Sequence, residues 1–325
     1  MVLVPVLIMV YAIVTHTDMD GVASAALYLY LNEVSDFHVF FSEPFLLHKT
    51  LSRTTSAYYE KVVIFDLGIN PVSYTKVLEY IKLLREYSIP IIWFDHHIWE
   101  ENWIRDMEKL GVELYIDRST CTVGVVAKHL KPARRAVDEH FVENLVRGVC
   151  AGDLWKFDHW LGGFYMRVVR RRDKDSWRKT VLKTLASGTL WSEDFNAKVE
   201  EHIDNELRCL SSDLSLIMRN INGVKLAVAE SVELLENSFL ASYIMGRYDV
   251  DIVVLASMDG KLSIRSRNID VREVAYSLGG GGHMHAAGAK IRIPWWIKLL
   301  SRVNRNTLLH YVSRLIAQKL AQRRQ

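Results

Sequence analysis

Six side chains in the first half of the sequence have the types and spacing to hold divalent cations. His16, Asp18 and Asp20 stand at alternate positions in His16-Thr17-Asp18-Met19-Asp20-Gly21. Asp66 closes Val62-Val63-Ile64-Phe65-Asp66, His96 lies in Trp93-Phe94-Asp95-His96-His97, and Asp153 follows Ala151-Gly152. Residues two apart in an extended segment share a side, so the first three can face one crevice. Four carboxylates and two imidazoles gathered in a cleft are costly to desolvate unless cations neutralise them. Carboxylate and imidazole ligation without thiolate suits manganese first and admits magnesium, cobalt or zinc. Two such ions can activate a water and neutralise phosphate oxygens, which is the chemistry of phosphodiester hydrolysis. Taken singly, Asp20 or Asp66 has a second reading as a helix N-cap. Six together, on successive strand ends, favour one site.

Those strand ends must come from somewhere. Apolar runs at Tyr11–Thr15, Phe37–Phe41, Val62–Phe65, Ile89–Phe94 and Val112–Ile116 read as strands. Helical stretches such as Val22–Asn32 and Pro71–Tyr87 separate them. Alternation of this kind predicts a parallel sheet with helices on both faces, whose ligands gather at the carboxyl ends of the strands. From about Trp155 to Ser215 no strand is expected, and Trp177–Leu185 and Phe195–Leu216 read as helices. A second α/β unit follows, with strands at Val224–Ala229, Ile252–Ala256, Lys261–Arg265 and Ala289–Ile293. Asp259-Gly260 marks a hairpin between the middle two. The expected organisation is α/β throughout: residues 1–155, a helical connector 156–216, a smaller mixed-sheet domain 217–294, and a basic helical tail 295–325.

His16-x-Asp18-x-Asp20-Gly21, Phe65-Asp66-Leu67-Gly68, Asp95-His96-His97 and the isolated Asp153 resemble, in order and spacing, the four motifs of the DHH phosphoesterases. The resemblance covers about residues 11–155. It implies that His16 and Asp18 bind one metal, that Asp20, His96 and Asp153 bind the other, and that Asp66 bridges. It also implies that His97 sits beside the substrate phosphate as a catalytic residue. Asp95 is expected to orient the histidines from behind. The family includes RecJ-like exonucleases, oligoribonucleases, cyclic-dinucleotide phosphodiesterases and one class of inorganic pyrophosphatases.

Gly280-Gly281-Gly282-His283-Met284-His285-Ala286-Ala287-Gly288 resembles the signature of the domain that accompanies many DHH proteins, and Ser263-Ile264-Arg265-Ser266 resembles its arginine strand. The resemblance implies that Arg265, His283, Gly281 and Gly282 grip substrate, and it argues against a soluble pyrophosphatase. Glycines let a ligand approach the backbone, and Arg265 offers a forked donor to phosphate. Ser119 and Thr120, on the turn after the fifth strand, form either an anion site at a helix N-terminus or a simple cap.

The expected activity is a two-metal phosphodiesterase that degrades single-stranded DNA or RNA, or short oligonucleotides, to mononucleotides. Alternatives are a cyclic-dinucleotide or 3′-phosphoadenosine-phosphate phosphoesterase and a non-catalytic replisome scaffold. Expected partners are single-stranded nucleic acid, a DNA-repair or replication protein, or a second copy of the chain, with no membrane. Arg167, Arg170, Arg171, Arg172, Lys174 and Arg178 cluster in the connector as a basic path or a solvated face. Trp99, Trp103, Trp155, Trp160 and Trp177 stand ready for base stacking or for core packing.

Composition agrees with a globular protein of 325 residues, 50% hydrophobic, 24% charged and of net charge +3. Cys121, Cys150 and Cys209 include no C-x-x-C pair, so neither a disulfide nor a zinc site is expected, and a reducing cytoplasm fits. Residues 1–14 are nearly all apolar but lack a basic leader and a cleavage site, and are short for a membrane span. They read as a leader running into the first strand, with Met9 as an alternative start.

Overall fold

The computed structural model describes residues 10–55, 59–211, 214–233 and 235–322, so the apolar leader at 1–9 lies outside the described residues. The chain divides into two compact units, Met1–Glu200 and Glu201–Gln325.

The first unit opens with β1 (Tyr11–His16), α1 (Met19–Asn32), β2 (Phe37–Ser42) and α2 (Leu47–Thr54). Then come β3 (Lys61–Phe65), α3 (Tyr74–Glu86), β4 (Ile91–Asp95), α4 (Glu101–Lys109) and β5 (Glu113–Ile116). Four further helices follow, α5 (Thr122–His129), α6 (Glu139–Asp153), α7 (Trp160–Val168) and α8 (Asp175–Ala186), and α9 (Glu193–Ser211) carries the chain across the boundary into the second unit. The strands run parallel in the order β2-β1-β3-β4-β5. Both faces of such a sheet must be covered, and period-two alternation decides what covers each. Ala12, Val14, Val62, Ile64, Ile91 and Trp93 meet Val77, Ile81, Leu84, Trp103 and Met107 of α3 and α4. Phe65 and Phe94 point the other way and meet Tyr28 of α1 with ring centroids 5.5 and 6.2 Å away. Residues 19–31 of α1 are buried all round, as expected of a helix apolar on every side. Truncating Phe65 to Ala would cost about 3–5 kcal/mol.

The second unit contains β6 (Leu216–Ile221), β7 (Val224–Glu230), α10 (Asn237–Tyr248), β8 (Ile252–Ala256) and β9 (Lys261–Ser266). It continues with α11 (Arg272–Tyr276), β10 (Gly281–His283), β11 (Ala286–Lys290), α12 (Trp295–Val303) and α13 (Asn306–Gln322). Its mixed sheet has the order β10-β11-β9-β8-β7-β6, with only β7 and β8 parallel.

The α/β class, the parallel first sheet and the mixed second sheet are as expected. The local differences are informative. Leu216–Ile221, for which the sequence predicts no element beyond Leu216, is a strand: Asn222 and Gly223 both take positive φ (53° and 88°) and close a hairpin onto β7. An Asn-Gly pair between apolar runs is a strong hairpin signal, and the reading from spacing passed over it. The helix α10 was also not expected. The last strand is Ala286–Lys290, earlier than Ala289–Ile293, because the glycine run itself forms β10 and pairs antiparallel with β11. In the helical tail, Leu308, Leu309, Val312, Ile316 and Leu320 of α13 pack into the core of the second unit.

Candidate metal centre

Three strand ends of the first unit carry the acidic motifs to one place. His16 is the last residue of β1, and Asp18 caps α1 by accepting from Gly21 N at 3.2 Å. Asp95 is the last residue of β4. Asp66 follows β3 with φ +56°, a left-handed conformation that Asp tolerates better than most residues. Its N–H donates to the Phe94 carbonyl at 3.0 Å, so the chain turns sharply while staying tied to β4. Two glycines make room. A Cβ on Gly21 would lie 2.8 Å from His16 Cβ, and one on Gly68 would lie 2.9 Å from His97 Cβ.

The six side chains gather as two sets around Asp66. In the first, His16 Nδ1 lies 2.7 Å from Asp18 Oδ2 and 3.2 Å from Asp66 Oδ2. In the second, His96 Nε2 lies 3.4 Å from Asp66 Oδ1, 3.7 Å from Asp153 Oδ2 and 3.9 Å from Asp20 Oδ2. His16, Asp18 and Asp66 each offer a ligand atom within 4.8 Å of the others, as do Asp20, His96 and Asp153. The two oxygens of Asp66 therefore face one set each. At 3.4–3.9 Å these spacings allow a weak hydrogen bond from His96 to Asp66 and none to Asp153 or Asp20. Donor atoms around a cation at about 2.1 Å stand roughly 3–4 Å apart, so this donor set fits an ion.

Residues far along the chain hold these ligands. Asp20 Oδ2 accepts from Thr122 N at 2.7 Å and Oδ1 from Val123 N at 2.9 Å, so it occupies the N-terminus of α5. The Thr122 hydroxyl donates to Asp66 Oδ1 at 2.9 Å. Glu43, just past β2, meets His16 Nε2 at 3.4 Å and accepts from the Thr17 hydroxyl at 2.5 Å. Asp95 is fully buried. Its Oδ1 lies 2.8 Å from His97 Nδ1, and its Oδ2 accepts from Trp99 Nε1 at 2.6 Å. Buried Arg178 donates to the Thr17 carbonyl at 2.7 Å and to the carbonyls of Arg170 and Arg171. Glu43, Thr122 and Arg178 were not singled out from sequence as partners of the site. Nothing in their spacing marks them, since each acts across tens of residues.

The electrostatics follow from crowding. Burial, followed by the charges of Asp66 and Asp153, pushes the Asp20 carboxyl well above the usual range. Burial and the Asp66 charge raise Asp153 to about 7. Burial works against the charged form of His96, but hydrogen bonding to Asp66 and the surrounding carboxylates raise it to about 10. Asp66 itself is held well below the usual range: burial opposes this, and hydrogen bonds from His16 and His96 outweigh it. Without a cation the cluster keeps its charge down by holding protons, and a cation would take over that task.

Other expected contacts lie elsewhere. Ser119 donates through its N–H and hydroxyl to Asp117, and the Thr120 hydroxyl lies 3.4 Å from Cys150 Sγ. The cap position of α5 belongs to Cys121 and its free N–H groups to Asp20, so the chain's own carboxylate stands where an external anion was expected. In the second unit, Arg265 sits on β9 opposite Ala286 of β11, whose other neighbour is His283 of β10. Arg265 Nε donates to Ser238 Oγ at 3.2 Å. Gly281 and Gly282 form the edge strand; the side chain of His283 lies outside the description. Of the basic cluster, Arg170 and Arg178 are buried, whereas Arg171 is exposed with Nη2 4.0 Å from Asp18 Oδ2. Trp99 and Trp103 are core residues, and Trp160 is exposed.

One expectation is overturned. Cys121 and Cys150 form a disulfide across 29 residues, joining the start of α5 to α6 three residues before Asp153. The absence of a C-x-x-C pair misled because α5 and α6 pack side by side, which no local spacing reveals. Cys209 is free.

Two family models match the chain: DHH family, N-terminal domain, over residues 10–152, and DHHA1 domain over residues 223–306. No curated protein matches. Solved structures share the fold at low identity. The pGpG-specific phosphodiesterase PggH from Vibrio cholerae has TM-score 0.55 and 17% identity, over 96% of this chain and 99% of that one. RecJ from Thermus thermophilus in complex with Mn2+ has TM-score 0.53 and 15% identity, over 94% of this chain but 52% of its own. An exopolyphosphatase-related protein from Bacteroides fragilis has TM-score 0.51 and 14% identity, over 94% and 93%.

Proposed function

The chain belongs to the DHH family of phosphoesterases, with a DHHA1 domain on its C-terminal side, and from that premise we propose a metal-dependent phosphodiesterase that degrades short single-stranded oligonucleotides to mononucleotides. The observation that carries this reading is the placement of Asp66, one carboxylate oxygen toward each of two three-residue ligand sets. His16, Asp18 and Asp66 would hold one divalent ion and Asp20, His96 and Asp153 the other, with Asp66 shared and manganese as the first candidate. When bound, such ions activate the attacking water and offset charge on the phosphate.

The chain's own residues do the rest. Asp66, held ionised between two histidines, keeps both sets at a fixed separation. His97 is anchored through Nδ1 by Asp95, which leaves Nε2 to reach a phosphate oxygen or the leaving oxygen. As the bond from phosphorus to the leaving sugar oxygen breaks, His97 supplies the proton that oxygen needs. Arg171 adds an exposed positive charge beside Asp18. In the second unit, Arg265 and the Gly281-Gly282 edge would offer a phosphate-binding surface. Short substrates are favoured because the chain shares its fold with a pGpG-specific enzyme over nearly the full length of both.

The test is a hydrolysis panel on EDTA-stripped protein with and without manganese. It compares pGpG, pentamers and long single strands of DNA and RNA, cyclic dinucleotides, 3′-phosphoadenosine phosphate and pyrophosphate. Mononucleotide release from pGpG and pentamers, faster than from long strands and only with metal, is expected. Exclusive cleavage of a cyclic dinucleotide or 3′-phosphoadenosine phosphate would replace this reading. Nucleic-acid binding with no turnover would point to a scaffold instead.

A further inference from the structure

α12 is built inside out. Trp295, Trp296, Leu299, Leu300 and Val303 are 76, 48, 54, 51 and 91% exposed, while Ile297 and Ser301 face the core of the second unit. At 100° per residue the five outward side chains fall within an arc of about 140°. A surface helix ordinarily turns such a stripe inward. Single exposed apolar residues are common, but a contiguous patch on one helix marks a surface that something covers.

Charge narrows the choice of cover. Between Lys290 and Gln325 the sequence has no aspartate or glutamate. Lys298 and Arg302 stand one turn apart beside the apolar arc, with Arg305 just beyond it. None of the three makes an ion pair among the described residues. In the same unit Lys225, Lys261, Arg267 and Arg272 all do. An apolar face flanked by unneutralised cations and led by two tryptophans fits a surface that is apolar beneath and anionic at its rim. We propose that α12 docks the protein on an anionic lipid bilayer, lying in the interface with the tryptophans at headgroup level and Leu299, Leu300 and Val303 toward the acyl chains.

Two other covers fit less well. A two-fold contact between copies sets the same patch against itself, bringing Lys298, Arg302 and Arg305 of both copies together with no counter-charge. A nucleic-acid strand would use the tryptophans, but three aliphatic side chains offer no ring to a base. Among the described residues no helix is long and apolar enough to cross a membrane, and an interfacial helix does not need to. The sequence reading expected no membrane partner, and this inference reverses that expectation without depending on the proposed hydrolysis.

The test uses the full chain with vesicles of phosphatidylcholine alone or with about a third phosphatidylglycerol. Co-sedimentation should be roughly tenfold stronger with the anionic vesicles, fall at high salt, and bring a blue shift in tryptophan emission. Leu299→Glu/Leu300→Glu and, separately, Lys298→Glu/Arg302→Glu should each abolish most of it. All four side chains are exposed, so thermal unfolding and hydrolysis of soluble substrate should be unchanged. Failure to sediment with anionic vesicles overturns the proposal, as does sedimentation that both variants retain. So does a concentration-dependent dimer that Leu299→Glu/Leu300→Glu dissolves while vesicle binding is absent.

Discussion

Asp95 holds His97 from behind: its Oδ1 lies 2.8 Å from His97 Nδ1, and its other oxygen is held by Trp99 Nε1 at 2.6 Å. Asp95 is fully buried, so removing the indole donor leaves a carboxylate oxygen short of a partner and free to rotate. Trp99→Phe should lower kcat roughly tenfold, leaving KM and metal content nearly unchanged. Steady-state kinetics with metal analysis checks this. A fall in metal content that accounts for the whole loss would mean the indole acts on the ligands and not on His97.

Asp66 is shared between the two ligand sets. Asp66→Ala should remove hydrolysis by more than the roughly 10–100-fold that residues behind the ligands cost, and should lower bound metal in atomic-absorption analysis. Full activity in this variant would sink the two-metal assignment.

Arg178 joins α8 to the acidic loop through Thr17 and to the preceding turn through Arg170 and Arg171. Lysine lacks the fork and cannot reach three carbonyls at once. Each buried carbonyl left without a donor costs about 1–3 kcal/mol. Arg178→Lys should therefore lower the Tm by roughly 5–10 °C, read by calorimetry on metal-free protein. An unchanged Tm would show that solvent replaces the guanidinium without cost.

The Cys121–Cys150 bond closes a loop spanning 29 residues. Loop-closure entropy gives such a bond about 3–4 kcal/mol. Denaturant unfolding with and without reductant should show a loss of that order, and Cys150→Ser should match the reduced protein. Equal stability of the two forms would remove the bond from any account of how α5 and α6 are held.

Arg265 stands outside the metal set, with β11 between it and the glycine edge. Arg265→Ala should raise KM roughly tenfold, about 1.4 kcal/mol, with metal content and folding intact. If both KM and kcat stayed the same, the second unit would not be the grip proposed for it.

Much of this molecule was readable along the chain. Short apolar runs ending in Asp or His mark a strand and put polar groups at its end, which is why the parallel sheet was expected and why the six candidate side chains lie near one another. The hairpin at Asp259-Gly260 was legible for the same local reason, and Asn222-Gly223 carried the same signal unread. Ser119 and Thr120 show the limit. A hydroxyl pair before a helix looks alike whether an outside anion or a distant aspartate takes the free N–H groups, and Asp20 lies 102 residues from Thr122.

Local signals along the chain, hydrophobic period and turn chemistry, account for the types of side chain at the strand ends, their order, and the two kinds of sheet. Folding in three dimensions sets how Asp66 divides its oxygens between His16 and His96, and places Asp20 at the start of α5. It also decided that Cys121 meets Cys150 and that Arg178, in the basic cluster, is spent on backbone carbonyls. The physical reason is common to all of these. Each is a contact across a packed interface between elements far apart in sequence, set by strand register and helix packing.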